Sequence, residues 1–173
     1  MNRIVSAFLA ALSTTAASSL PPWPEKWWAY MASYADRPGS IRLNLALRKV
    51  APQVDYPHLV VTGPTYKTSR SDGLPDKDDL KRLNDLQERI VEEVAKHTPC
   101  VYAGTFTHNF EQLHYVYAKS EVGVQRALAD VYARHCSGCK FYTNIKQDPS
   151  WLNYSEFLFP NQATREHYGL YLN

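Results

Sequence analysis

Residues 100–119, CVYAGTFTHNFEQLHYVYAK, decide how the rest of the chain is read. β-branched and aromatic residues are spread through 100–107 and again through 110–119, with only His108-Asn109 between the two runs. The segment therefore reads as two antiparallel strands joined by a tight turn. In the second run Leu113, Tyr115 and Tyr117 fall on one face, and Gln112, His114 and Val116 on the other. A helical period flanks this hairpin on each side. Upstream, Leu80, Leu83, Leu86, Ile90, Val91 and Val94 recur at three and four residues, Asp76 is placed to cap the helix with Asp79 near its positive end, and Lys96 and His97 close it before Pro99. Downstream, Ser120 is placed to cap a second helix whose apolar side holds Val124, Ala127, Leu128, Val131 and Tyr132. Residues 58–66 and 139–146 supply a strand before the first helix and a strand after the second.

The order strand, helix, strand, strand, helix, strand predicts an α+β domain of the ferredoxin-like, split βαβ kind, a sandwich in which two helices cover one face of an antiparallel sheet. An N-terminal β-hairpin should extend that sheet. Its first strand sets Trp28, Tyr30, Ala32 and Tyr34 against Trp27, Ala29, Met31 and Ser33. Asp36-Arg37-Pro38-Gly39 is turn chemistry, and Ile41, Leu43, Leu45 and Leu47 then alternate with polar or small residues as the returning strand. Residues 148–172 form an aromatic-rich tail, where Asp148-Pro149 turns the chain and Trp151 can fold back with Tyr154 and Phe157 as a clasp. Helices on one face leave the other for the tail, a partner or water. The expected partner-binding surface is an open sheet face around Gln112, His114 and Val116, continued by Trp27 and Met31 of the hairpin, because aromatic and Met side chains are favoured anchors at interfaces.

The chain's 173 residues are enough for one domain, and 45% hydrophobic with 21% charged residues excludes a disordered, collagen-like or polytopic protein. A formal charge of +2 is too small to grip nucleic acid by bulk electrostatics. Arg3, an apolar run over 4–12 and small residues over 13–19 make the three-part layout of a secretory signal peptide, assigned to residues 1–19. A membrane span is not expected, since Ser13, Thr14 and Thr15 interrupt the run well short of roughly 20 apolar residues. Residues 20–26 read as a Pro-rich linker and 27–173 as a single α+β domain. The expected location is periplasmic or secreted in a bacterium, after removal of the leader.

Several short motifs, in order, resemble a known family. They are Trp28 and Tyr30, Arg37-Pro38-Gly39-Ser40-Ile41, Pro57-His58-Leu59, Asp72-Gly73-Leu74-Pro75, Tyr102-Ala103-Gly104, and Asp148-Pro149 with Trp151, Tyr154, Leu158 and Pro160. Their order and spacing, from about Trp27 to Tyr168, resemble the bacterial family called domain of unknown function 695. The resemblance implies no catalytic residues, because the family has no established activity. Some members look related to, or are joined to, domains of the inhibitor that regulates ribonuclease E, a protein-binding αβ module, which implies interaction rather than chemistry by analogy alone. The leader and the Cys-x-x-Cys depart from that pattern, and an exported member could not meet a cytoplasmic ribonuclease.

Chemical motifs are few. There is no H-E-x-x-H, G-x-S-x-G, Walker loop or G-x-G-x-x-G, so no catalytic residue, metal site or cofactor is expected. His108 and His114 flank a turn but lack the third ligand a catalytic zinc needs. The acidic cluster Asp72, Asp76, Asp78 and Asp79 reads as a solvated helix start. What remains is Cys136-Ser137-Gly138-Cys139, with three readings: redox catalysis, half a zinc site, or a structural disulfide. It follows a helix instead of opening one, which is the wrong end to stabilise a thiolate, and zinc would need two more ligands. Cys100 should lie about 14 Å away, three strand spacings off. We therefore expect a Cys136–Cys139 disulfide with Cys100 reduced. The functional expectation is an exported, non-enzymatic protein-binding module, specifically an inhibitor or immunity-type protein that occludes an unidentified protein partner; a homodimer is a further candidate assembly. The alternatives are a periplasmic thiol-disulfide oxidoreductase using Cys136 and Cys139, and a small-ligand binder using the aromatic sheet face.

Overall fold

The computed structural model describes residues 23–172. The signal-peptide assignment, and the first residues of the linker, lie outside the described residues; residues 23–26 form no regular element. Six strands, β1 (Trp27–Tyr34), β2 (Arg37–Asn44), β3 (His58–Pro64), β4 (Cys100–His108), β5 (Glu111–Ala118) and β6 (Phe141–Gln147), make one sheet. Their order across it is β1-β2-β4-β5-β3-β6, and every neighbouring pair is antiparallel. The helices are α1 (Lys77–His97), α2 (Val124–His135) and the short α3 (Gln162–His167), with a 3-10 turn at Leu45–Lys49 and a π-helical turn at Asn153–Leu158. The α+β class and the antiparallel sheet are as the sequence predicts, while the strand order is mixed.

α1 forms where its signals place it. Asp76 accepts from the N–H groups of Asp78 and Asp79 at 3.0 and 2.9 Å, and Asp79 returns a bond to the Asp76 N–H at 3.4 Å, a closed capping box. Its buried stripe is Leu83, Leu86, Ile90 and Val94. α2 starts later than Ser120. That hydroxyl accepts from the Val122 N–H at 3.2 Å, which turns the chain, and Gly123 in a left-handed conformation precedes the first helical residue.

Both hairpins close over residues the sequence places elsewhere. β1 and β2 turn at Ala35-Asp36, both with positive φ, and Pro38 and Gly39 are already paired within β2. Two left-handed residues give the twist that a two-residue hairpin turn needs. β2 then ends at Asn44, whose side chain accepts from the Lys26 and Ala46 N–H groups and donates to the Pro24 carbonyl, so Leu45 and Leu47 enter the core from a 3-10 turn and not from a strand. Likewise Asn109-Phe110 turns β4 into β5, one residue beyond His108-Asn109.

The sheet separates two cores. On one side Val60, Val116 and Ala118 meet Leu86, Ile90 and Val94 of α1 and Val124, Leu128 and Val131 of α2, a layer made mostly of aliphatic chains. On the other, Tyr30, Leu59, Phe106, Tyr115 and Tyr117 meet Trp151, Tyr154 and Leu158 of the tail, a layer rich in rings. The tail is therefore the third layer of the sandwich. Its anchor is Asp148, whose carboxylate accepts from the Tyr117 hydroxyl at 2.7 Å, the Leu152 N–H at 2.9 Å, and both the main-chain and side-chain N–H groups of Asn153 at 3.0 Å. Trp151 stacks on Tyr117 at 4.0 Å and donates its indole N–H to the Tyr56 carbonyl at 3.0 Å.

Candidate functional site

The residues expected to meet a partner do not share an open surface. Gln112, His114 and Val116 are buried, and Val116 belongs to the layer beneath the helices. The helices cover the face expected to be open, while the tail covers the face bearing Tyr115 and Tyr117. That correction follows from the match of aliphatic helix stripes to Val60, Val116 and Ala118, and of tail rings to strand rings. His114 is wholly enclosed; its Nδ1 lies 3.3 Å from both the Tyr102 and Thr105 hydroxyls, which bond to each other, and its Nε2 has no partner among the described residues. Burial, with the Arg42 guanidinium adding repulsion, pushes its pKa down to about 3. Trp27 is half-buried, with the Arg42 guanidinium 4.5 Å above its ring and Tyr102 at 5.3 Å. Of the five, Met31 alone is open, at 47% exposure.

The aromatic sheet face is likewise filled. Tyr117 and Tyr115 are buried under Trp151 and Phe157, and burial raises the pKa of both phenols. Asp148 is the countercase. Burial alone would raise its pKa, but the Asn153, Tyr117 and Leu152 donors outweigh it and hold the carboxyl below its ordinary range.

The Cys136–Cys139 disulfide is present, with Cα atoms 5.5 Å apart, and Cys100 is a buried free thiol with its pKa pushed up to about 12 by burial. Cys136 caps the C-terminus of α2, its N–H donating to the Tyr132 carbonyl at 2.9 Å, so it sits at the negative end of the helix. The bridged turn forms one wall of a cleft of about 590 Å³. The first half of α1 and the chain leaving β3 form the others, and the Thr65 N–H bonded to the Lys140 carbonyl at 2.8 Å ties the last wall to the turn. Leu83, Leu86 and Pro64 give the cleft an apolar lining, and Lys67, Arg82 and Lys140 give it positive charge. Among the described residues the only acid lining it, Asp79, is ion-paired with Arg82. Among the described residues there is no group of three His, Cys, Asp or Glu side chains placed to hold a metal ion.

The sheet's two edges differ. At β1, the Met31 N–H donates to the Tyr168 hydroxyl at 3.1 Å, and Trp28 packs edge-on to the same ring at 5.7 Å. At β6, strand pairing is confined to the β3 side, and no main-chain hydrogen bond to another described residue closes the outer edge. Phe141 and Tyr142 there are 44% and 45% exposed. Tyr142, Asn144 and Lys146 line a shallow groove with Leu113 and Glu111, the part of the tail-side face that the tail leaves uncovered. The sequence predicts that the strand after the second helix lies three spacings from the strand of Cys100, and β6 does lie at an edge of the sheet, three places from β4.

No helix of the described residues is long and apolar enough to cross a membrane. Comparison with curated proteins and with solved structures gives no match. The model of a family of unknown function, DUF695, matches residues 25–159, from the start of the hairpin through the aromatic clasp, and the chain belongs to that family.

Proposed function

We propose that this is an exported, non-catalytic protein-binding module that takes an extended segment of its partner along β6. The observation that carries this reading is the unequal treatment of the two sheet edges. An unpaired strand edge templates pairing with another chain, and proteins blunt such edges where pairing is unwanted. Tyr168 guards β1, whereas β6 has a backbone edge left open by the described residues, beside two exposed rings. Strand addition supplies main-chain hydrogen bonds, and the groove at Tyr142, Asn144 and Leu113 supplies side-chain selectivity. Inhibition or immunity would follow if the captured segment belongs to a partner's working surface.

We read the core as ferredoxin-like, supported by β5 lying between β3 and β4 so that β3–α1–β4 is split, with β1–β2 appended beside β4. Export is supported by the Cys136–Cys139 bridge, since such bonds persist in oxidising compartments. Thiol chemistry is the weaker reading because Cys136 ends a helix, where thiolate is disfavoured.

The test is selection of peptides from a displayed library on the purified protein, followed by hydrogen exchange of the complex. Protection of amides 141–147, with loss of binding on Tyr142→Lys, is expected. Protection confined to other elements, or protection of β6 that rises with the protein's own concentration and needs no peptide, would refute strand capture; the second result would reveal a homodimer.

A further inference from the structure

We propose that the cleft between α1, the exit of β3 and the disulfide turn binds a small amphiphilic anion, a carboxylate or phosphate carried on an apolar body. Its volume of about 590 Å³ falls in the range of roughly 300–1,000 Å³ in which proteins hold small molecules. The lining has two chemistries. Leu83 and Leu86 of α1, with Pro64, offer an apolar floor. Around it stand three cations, and they are not equivalent. Arg82 is ion-paired with Asp79, which is itself held in the helix cap, whereas Lys67 and Lys140 form no ion pair with any described residue.

The two free cations are placed together by the backbone. Lys67 follows β3 and Lys140 precedes β6, two antiparallel neighbours, and the Thr65 N–H to Lys140 carbonyl bond continues their pairing beyond the sheet. Next to Lys140 the bridge closes a turn already held by the Cys139 N–H to Cys136 carbonyl bond at 3.0 Å. An anion gains from two uncompensated ammonium groups at the rim of a partly enclosed site, and a cation is repelled. An apolar body gains by covering the leucines, and a bare inorganic anion does not. Both gains are available only to a ligand with an anionic head and an apolar tail.

Octanoate and octyl phosphate, kept below their micellar concentrations, are the probes, with octan-1-ol and inorganic phosphate as the single-chemistry controls. Titration calorimetry should show saturable binding of at least one amphiphilic anion, at least tenfold tighter than either control; the tighter of the two identifies the head group. Amide NMR shifts should centre on residues 64–67, 82–86 and 135–140. The double variant Lys67→Gln, Lys140→Gln should lose at least tenfold in affinity with its melting temperature unchanged. Should that variant melt early, Lys140→Gln alone, at an exposed position, is expected to weaken binding at least threefold. No saturable binding of either anion, octan-1-ol binding as tightly as octanoate, or affinity unaffected by the lysine changes would overturn the proposal.

Discussion

His114 and Asp148 are two buried polar side chains treated in opposite ways. His114 sits among the Tyr102 and Thr105 hydroxyls with its Nε2 unpartnered among the described residues, and burial holds it neutral with a pKa of about 3 against an ordinary 6.5. As pH falls below 6.5 the unfolded chain takes up a proton that the folded chain refuses. Stability should therefore fall through this group by on the order of 1.4 kcal/mol per pH unit until about pH 3, and be unaffected by it above pH 6.5. Denaturant melts at steps between pH 6.5 and 5 should show this slope, and His114→Gln should flatten it by about that amount. An unchanged slope would place the proton uptake elsewhere. Asp148 instead receives four hydrogen bonds, from Tyr117, Leu152 and Asn153, and its pKa is lowered, so its contribution is present at neutral pH and lost only as pH falls through the carboxylate range. Asp148→Asn keeps the shape but weakens charge-assisted bonds. It should cost on the order of 3 kcal/mol at pH 7, read as a lower denaturation midpoint with an unchanged slope against denaturant.

At the scale of elements, the turn between α2 and β6 is the one place where covalent chemistry enters the fold. The bridge spans a sequence separation of 3, so it removes little entropy from the unfolded chain, and the double variant Cys136→Ser, Cys139→Ser should lose about 2 kcal/mol or less. Protein taken up directly under non-reducing conditions should carry one alkylatable thiol, and that only after unfolding, because Cys100 is buried. Three alkylatable thiols would refute the bridge. This pairing was legible from Cys-x-x-Cys, as α1 was from Asp76, Asp79 and its leucine period, since both are written in adjacent residues. The β4–β5 hairpin was legible, but its turn was not: Phe110 takes a left-handed conformation that nothing in an aromatic side chain announces. The alternation that groups Gln112, His114 and Val116 was also legible, but not which layer would cover them. Composition held the missing signal. Rings at Tyr30, Tyr115 and Tyr117 suit the ring-rich tail, and Val60, Val116 and Ala118 suit two aliphatic helices.

The whole molecule is a three-layer sandwich in which the tail has two separable duties. Residues from Asp148 to Phe159 complete a core, because Trp151, Tyr154 and Leu158 are buried against β4, β5 and the hairpin, and the Tyr30 hydroxyl donates to the Leu158 carbonyl at 3.0 Å. Residues beyond Pro160 guard an edge, through Tyr168 on β1, and add Leu170 and Leu172, partly buried, to the rim of that core. The family match ends at residue 159, at the boundary between these duties. Two truncations separate them. Ending the chain after Gln147 strips the cover from Tyr115 and Tyr117 and from most of one sheet face, and burying a single such side chain is worth roughly 1.5–3 kcal/mol. Over three large side chains that loss comes to roughly 4.5–9 kcal/mol, comparable with the stability of a domain in the lower half of the roughly 5–15 kcal/mol range, so no cooperative thermal transition should remain. Ending it after Pro160 leaves the clasp intact and should preserve a cooperative transition at a somewhat lower temperature. The same shortened chain exposes the β1 edge and should associate in a concentration-dependent way by sedimentation, with hydrogen-exchange protection appearing at residues 27–34. A cooperative transition in the shorter truncation would show that the tail is not part of the core, and a monomeric longer truncation would show that Tyr168 guards nothing.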